Sequence, residues 1–359
     1  MSEKDNSRKS FRKRKVILNA LPFVPAALVF LCIRLADRKS DTVETYYSEG
    51  LYPLIAKVLS SVSKLFPFSL WDLFLTISVL LIIGGLILVV FRKLKLGWYC
   101  LRVTQYLAVL YSVFYIVWGF NYFRPAIETR LGWTKPNADV NVFRSILDSV
   151  IVQTNLSYDS VTVSDYSAID KLIEESFLKN SGKIGIQYPN GTRRPKPMLF
   201  SSFIAKVGIS GYFGPFFNEV HLNSSLLPMD YAFSLAHEKS HQFGIPNEAE
   251  ANLVAFIVCT TSDDKRLQYS GNLYLLLYFL DDASHLKDYH DYVKKIDKQV
   301  IKDLRYRRSY YERLDNKTLD DAQSAVYNTY LKANHIEAGV KNYNQVVALV
   351  ISWYRNRSK

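Results

Sequence analysis

Three stretches of the 359-residue chain carry no Asp, Glu, Lys or Arg: residues 16–33, 73–91 and 103–123, of 18, 19 and 21 residues. At 1.5 Å per residue a helix of that length crosses roughly 30 Å of hydrocarbon, so each predicts a membrane span. A basic start before an apolar run also fits a cleaved signal, but no A-x-A-like site follows the first run, which therefore predicts a retained span. Between the first two spans, LYPLIAKVLSSVSKLF (51–66) repeats apolar residues at 51, 54, 55, 58, 59, 62, 65 and 66. That spacing is one face of a helix lying on the membrane surface or against the domain beyond it. After residue 123 the pattern changes. WGFNYFRPAIETRLGW (118–133) is a junction broken at Pro125, helical periods follow at 139–153 and 166–179, and the Gly/Pro-rich stretch 182–197 predicts turns around a short strand. FFNEVHLN (216–223) alternates, with Val220 and Leu222 on one face and Glu219, His221 and Asn223 on the other, as a half-buried strand does. From Pro228 onward the signals are almost all helical.

Charge then orients the spans. The formal net charge is +12, but residues 1–15 hold +5 and residues 92–102 hold +4, while residues 34–72 balance five acids with five bases. A nucleic-acid-binding domain is excluded by this placement, since only +3 is left for everything from Arg124 on. Basic segments beside apolar runs mark the cytoplasmic side. The expected layout is a cytoplasmic basic tail (1–15), a membrane domain (16–123) and an extracytoplasmic domain (124–359), with the lipid bilayer of the cell membrane as the first partner. The three cysteines, Cys32, Cys100 and Cys259, imply no disulfide framework and are expected to be packing residues. The basic run 293–313 is expected to be a solvated helix face.

The chemistry gathers after the alternating strand. His237-Glu238-Lys239-Ser240-His241 is an H-E-x-x-H motif, preceded by helix-start residues Pro228 and Asp230 and closed by Gly244. On a helix the two histidines project from one face a turn apart, so both imidazoles reach one Zn²⁺. Glu238 lies about 100° around the helix, where it can take a proton from the attacking water. A catalytic zinc needs a third protein ligand, and the tight turn IPNEAEAN brings Glu248 and Glu250 back toward the first helix. With Asn247 as N-cap, Glu250 falls at the third position, where a carboxylate can reach back to the cap; Glu248 is then the favoured ligand and Glu250 the alternative. Glu219, His221 and Asn223 are candidate substrate contacts, if their strand is an edge that pairs with an extended backbone.

HEKSH followed by E-A-E-A-N (248–252) is similar to the gluzincins, zinc metallopeptidases of the zincin group whose third ligand is a glutamate on the following helix. The resemblance implies that Glu248, first residue of E-x-x-A-N, binds zinc and that Asn252 is a helper. The step of seven residues from His241 to Glu248 is shorter than in most gluzincins. The layout of three spans, W-G-x-N-Y-x-R-P (118–125), G-I-S-G-Y (208–212), E-V-H-L-N and HExxH also resembles a family of bacterial membrane proteins with no assigned activity. The expected fold is therefore a mainly α membrane protein, with three N-terminal transmembrane helices and a mostly helical, zincin-like α+β domain holding a small sheet. The expected activity is zinc-dependent hydrolysis of a peptide or protein substrate outside the cytoplasm. The alternatives are a sensor or binding protein with a structural or vestigial zinc, and a zinc amidase acting on cell-wall material.

Overall fold

The computed structural model describes residues 13–134, 139–159, 165–191, 193–316 and 345–356, with six single positions between 321 and 332. Of the expected cytoplasmic tail, residues 1–12 lie outside this range. The chain is mostly helical with one three-stranded sheet.

Two helices are long and apolar enough to cross a membrane: α4, Leu70–Val90, and α5, Leu96–Val117. The first expected span is a bent pair, α1 (Lys13–Ala20) and α2 (Phe23–Ala36), which meet at 42° and together pass as a third span. Pro22 sits at the break, where its missing N–H cannot bond the preceding turn. The third uncharged run is displaced relative to its helix. α5 begins seven residues before the run, inside the basic segment, because Arg102 folds back to Gln105 (2.8 Å) and over the Trp98 ring. It ends at Val117, and Gly119–Phe123 forms a 3-10 turn before Pro125.

The outer loop is helical almost throughout, with a π-helical stretch, Val43–Leu51, running into α3, Tyr52–Ser63. The face of α3 that packs inward is not the predicted apolar stripe. Tyr52, Ala56, Ser60 and Ser63 are buried, whereas Leu54, Val58 and Val62 on the opposite face stay exposed.

Beyond Arg124 the longer helices among the described residues are α6 (Val140–Ser157), α7 (Tyr166–Asn180), α8 (Pro228–Gln242), α9 (Glu248–Thr260), α10 (Lys265–Ala283), α11 (Lys298–Leu314) and α12 (Val346–Asn356). α6 and α7 start where Asp139 and Asp165 accept backbone N–H groups. Every residue of α9 from Glu248 to Cys259 is buried, so this helix is the centre of the domain, packed against α7, α8, α10 and α12. Of the basic run, Arg307 on α11 turns inward to Asp230 at 2.7 Å.

The sheet has the order β1 (Lys196–Pro197), β3 (Glu219–Leu222), β2 (Gly211–Gly214), with β1 parallel and β2 antiparallel to β3. The alternating segment is thus shorter than expected. Pro215–Asn218 is a turn, with Asn218 at φ +52°, and what remains is the central strand, buried on both faces.

Candidate metal centre

α8 starts at Pro228, whose fixed φ and absent N–H suit a first helical turn, and stops at Gly244, which adopts φ +84°. A side chain at 244 would strike Tyr52 Cε1 at 2.9 Å, so conformation and space both demand glycine there. Asn247 then caps α9 by accepting from the Glu250 N–H at 3.0 Å. This tight turn folds the start of α9 against the end of α8 and brings His237, His241 and Glu248 together.

The three donor atoms converge. His237 Nε2 lies 3.2 Å from His241 Nε2, and Glu248 Oε2 lies 3.1 Å from the first and 3.6 Å from the second. Ligands about 2.0–2.1 Å from a tetrahedral ion stand about 3.3–3.4 Å from one another, so the donor set fits a zinc ion. Both imidazoles are also turned the right way. His237 Nδ1 bonds Asn252 Oδ1 at 2.8 Å and His241 Nδ1 bonds the Ile245 carbonyl at 2.7 Å, which leaves each Nε2 directed at the shared point. Burial raises the Glu248 carboxyl, but the two histidines outweigh it and hold the group well below its ordinary range, ionised as a ligand must be. Among the described residues this is the one His/Cys/Asp/Glu group close enough to share an ion.

Glu238 is buried beside the cluster and is not part of it. Burial pushes its carboxyl up, against the pull of His237 and His241. The β2 backbone presses on it: a Cβ at Gly211 would lie 2.7 Å from Glu238 Cγ and 2.9 Å from Oε1. His237, Glu238, His241, Glu248 and Asn252 all line a cavity of about 1040 Å³.

Other expected site residues are placed elsewhere. Glu250 turns away from the cluster, accepting from Ile127 N–H (3.0 Å) and pairing with Arg130 (2.9 Å) instead of reaching back to the cap. Glu219, His221 and Asn223 do not line the cavity. Glu219 accepts the N–H groups of Leu70 and Trp71 at the start of α4 and pairs with Lys196, while His221 Nε2 bonds Ser69, the α4 N-cap, at 2.7 Å. Glu219 and His221 thereby anchor the start of α4, whose free amides and positive end they satisfy. Asn223 bonds the Ser201 and Ile209 carbonyls. The expectation of a substrate-facing edge thus moves to β2, which has one sheet neighbour and whose residues Gly211, Tyr212 and Phe213 face the cavity.

The membrane junction supplies what residue patterns did not reveal. At the end of α8 the His241 carbonyl accepts from the Gly244 N–H at 3.0 Å, and three groups from the first 124 residues bond carbonyls here and in the turn that follows. Trp118 Nε1 donates to His241 O (2.9 Å), Tyr52 OH to Gln242 O (2.6 Å) and Arg124 Nη1 to Gly244 O (2.8 Å). Arg124 also grips Glu44 at 2.6 Å, and Lys239, inside the motif, is fully buried against Glu174 at 2.5 Å. The W-G-x-N-Y-x-R-P segment was the available signal for the first of these.

No curated protein and no solved structure matches the chain. One family profile, described as "Protein of unknown function (DUF3810)", matches residues 47–351, from the outer loop through α12, and the chain belongs to that family.

Proposed function

We propose that this chain is a membrane-anchored zinc metallopeptidase with its site on the extracytoplasmic side. The observation that carries the reading is the convergence of His237 Nε2, His241 Nε2 and Glu248 Oε2, each histidine oriented through its other nitrogen, beside a buried carboxylate in a cavity. An HExxH helix, a following helix bearing the third carboxylate and an edge strand alongside make up a gluzincin-like plan. The sidedness rests on the basic segments 1–15 and 92–102.

A zinc ion bound by His237, His241 and Glu248 would supply Lewis acidity, polarising the scissile carbonyl and making water easier to deprotonate. An extended substrate pairs with the free edge of β2, which sets its backbone across the cavity. Glu238 takes a proton from the attacking water as its oxygen bonds to the carbonyl carbon. It returns that proton to the amine nitrogen as the C–N bond breaks. Gly211 lets the strand approach closely enough to hold the Glu238 carboxylate in place.

The test is Glu238→Gln in the full-length protein. Zinc content is expected to match wild type while turnover of a peptide pool falls by about 10²–10⁴-fold, the usual share of general acid–base catalysis. Undiminished function in a zinc-replete Glu238→Gln protein would overturn the peptidase mechanism and favour a sensor.

A further inference from the structure

The cavity that holds the metal centre does not stay within the outer domain. Its walls include Trp71, Leu75 and Thr76 of α4 and Phe114 of α5, side by side with His237 and Glu238. α4 has 21 residues, about 31 Å of helix, which is nearly the whole thickness of a hydrocarbon layer. Thr76 is six residues in, about 9 Å along the span from its outer end, and Phe114 is about 4–5 Å inside the outer end of α5. Further in, the spans are joined by the Ser78–Tyr106 and Tyr99–Ile82 hydrogen bonds. Outward of Ser78, residues of both helices face the cavity instead.

The exposed surface around it matches. Phe200 lines the cavity and is 57% exposed, next to Leu199 and Phe203, each 59% exposed. The Leu199 N–H is tied to Asp72 in the first turn of α4 at 2.8 Å, so these side chains sit at the head of the span. Leu54, Val58 and Val62 of α3 are exposed apolar residues as well. One continuous space therefore runs from ionisable groups at the metal centre to apolar walls at lipid depth.

Building on the peptidase reading, we propose that the substrate is a polypeptide tethered in the same membrane, its scissile bond within a few residues of the apolar anchor, and that the anchor occupies the part of the cavity between the outer ends of α4 and α5. A freely soluble peptide fills only the polar end. An amphiphile fills both.

The anchor site can be read without turnover. The probe is a ten-residue peptide pool carrying an N-terminal palmitoyl chain with a diazirine near its carboxyl end, added to Glu238→Gln protein in phosphatidylcholine vesicles. A diazirine-bearing phosphatidylcholine is the comparison. Photolysis and mass spectrometry are expected to place the peptide adducts on Leu75, Thr76 and Phe114 at least tenfold above the phospholipid adducts, and Thr76→Trp should remove that excess. Equal labelling by both probes, meaning a lipid-filled cleft only, or adducts confined to outward positions such as Leu80 and Leu81, would overturn the proposal. In the wild-type protein, the pool is compared free, palmitoylated and fused to a transmembrane helix. Anchored forms are expected to be cut at least tenfold faster than the free pool, and Thr76→Trp should bring that ratio toward one; the two anchored arms tell a lipid tether from a helical one. A free pool cut as fast as either anchored form overturns the anchor and leaves the peptidase. Cavity labelling without cutting of any form overturns the peptidase reading alone.

Discussion

Asn252 offers a direct measure of the metal centre. The residue is 2% exposed, its Oδ1 orients His237, and its Nδ2 has no hydrogen-bond partner among the described residues. A buried amide with one end unpaired costs about 1–3 kcal/mol, so the residue is a poor choice for packing alone and its worth lies in the bond to the imidazole. Asn252→Ala removes that bond and frees the His237 ring to rotate or change tautomer. Orienting partners of this kind typically contribute 10–100-fold to metal affinity, equivalent to about 1.4–2.7 kcal/mol. Asn252→Asp keeps an acceptor in place and is expected to bind zinc within about tenfold of wild type. The second histidine gives no matching experiment, because its partner is the Ile245 backbone carbonyl. The assay is chelator competition for zinc on the purified full-length protein, beside thermal melting of the metal-free form. If metal-free Asn252→Ala melts as wild type does and its zinc affinity also stays within threefold, the reasoning about His237 fails.

Gly211→Ala should leave zinc content unchanged and lower peptide turnover at least tenfold, because the new methyl meets Glu238 Cγ at 2.7 Å and its carboxylate Oε1 at 2.9 Å; a fully active variant would show that the strand does not position that group. Glu250→Ala should keep zinc, whereas Glu248→Ala loses it. The Glu250 variant should still lose about 1–3 kcal/mol of stability in denaturant unfolding, since it takes away the acceptor of the Ile127 N–H and the nearer of the two carboxylates beside Arg130, Glu44 remaining at 3.8 Å. A loss under 1 kcal/mol would refute the ion pair's role. Burial raises the Glu174 carboxyl, but Lys239 and Arg193 pull it lower still, below its ordinary 4.5. The stability it gives is therefore present above about pH 4.5 and fades as pH falls through the depressed value, so Glu174→Gln should flatten the acid limb of melting temperature against pH; an unchanged limb would refute it.

The long apolar helices, the HExxH helix and the meeting of Glu248 with its two histidines were legible because each depends on local pattern. Uncharged length gives a membrane helix, a four-residue step puts His237 and His241 on one face, and Asn247 as cap fixes which carboxylate follows. The limits of α5 were less so, since Arg102 can snorkel from within a helix that charge alone would begin later. The strand was misread for a different reason. Alternation at Glu219, His221 and Asn223 means polar side chains on one face, and water is the ordinary partner for such a face. Here Glu219 and His221 find the start of α4, about 150 residues earlier in the chain, whose free amides and Ser69 take them, while Asn223 bonds the Ser201 and Ile209 carbonyls. No local pattern encodes that meeting. Trp118 and Tyr52 escaped notice likewise, because an aromatic beside a span looks like an interfacial anchor until its polar atom finds a helix carbonyl.

The hydrogen bonds from Trp118, Tyr52 and Arg124 to the end of α8 bear on how this protein can be handled. A soluble fragment beginning at Arg124 would seem the natural reagent for enzymology. It would lack two of the three donors that finish the HExxH helix, leave the His241 carbonyl with the Gly244 N–H alone and the Gln242 carbonyl without the Tyr52 hydroxyl, and remove the α4 and α5 wall beside the candidate metal ligands. Such a fragment should have a frayed ligand helix and bind zinc poorly. Absence of activity in such a fragment would therefore say nothing against the proposed peptidase, and the test belongs on the intact chain in lipid.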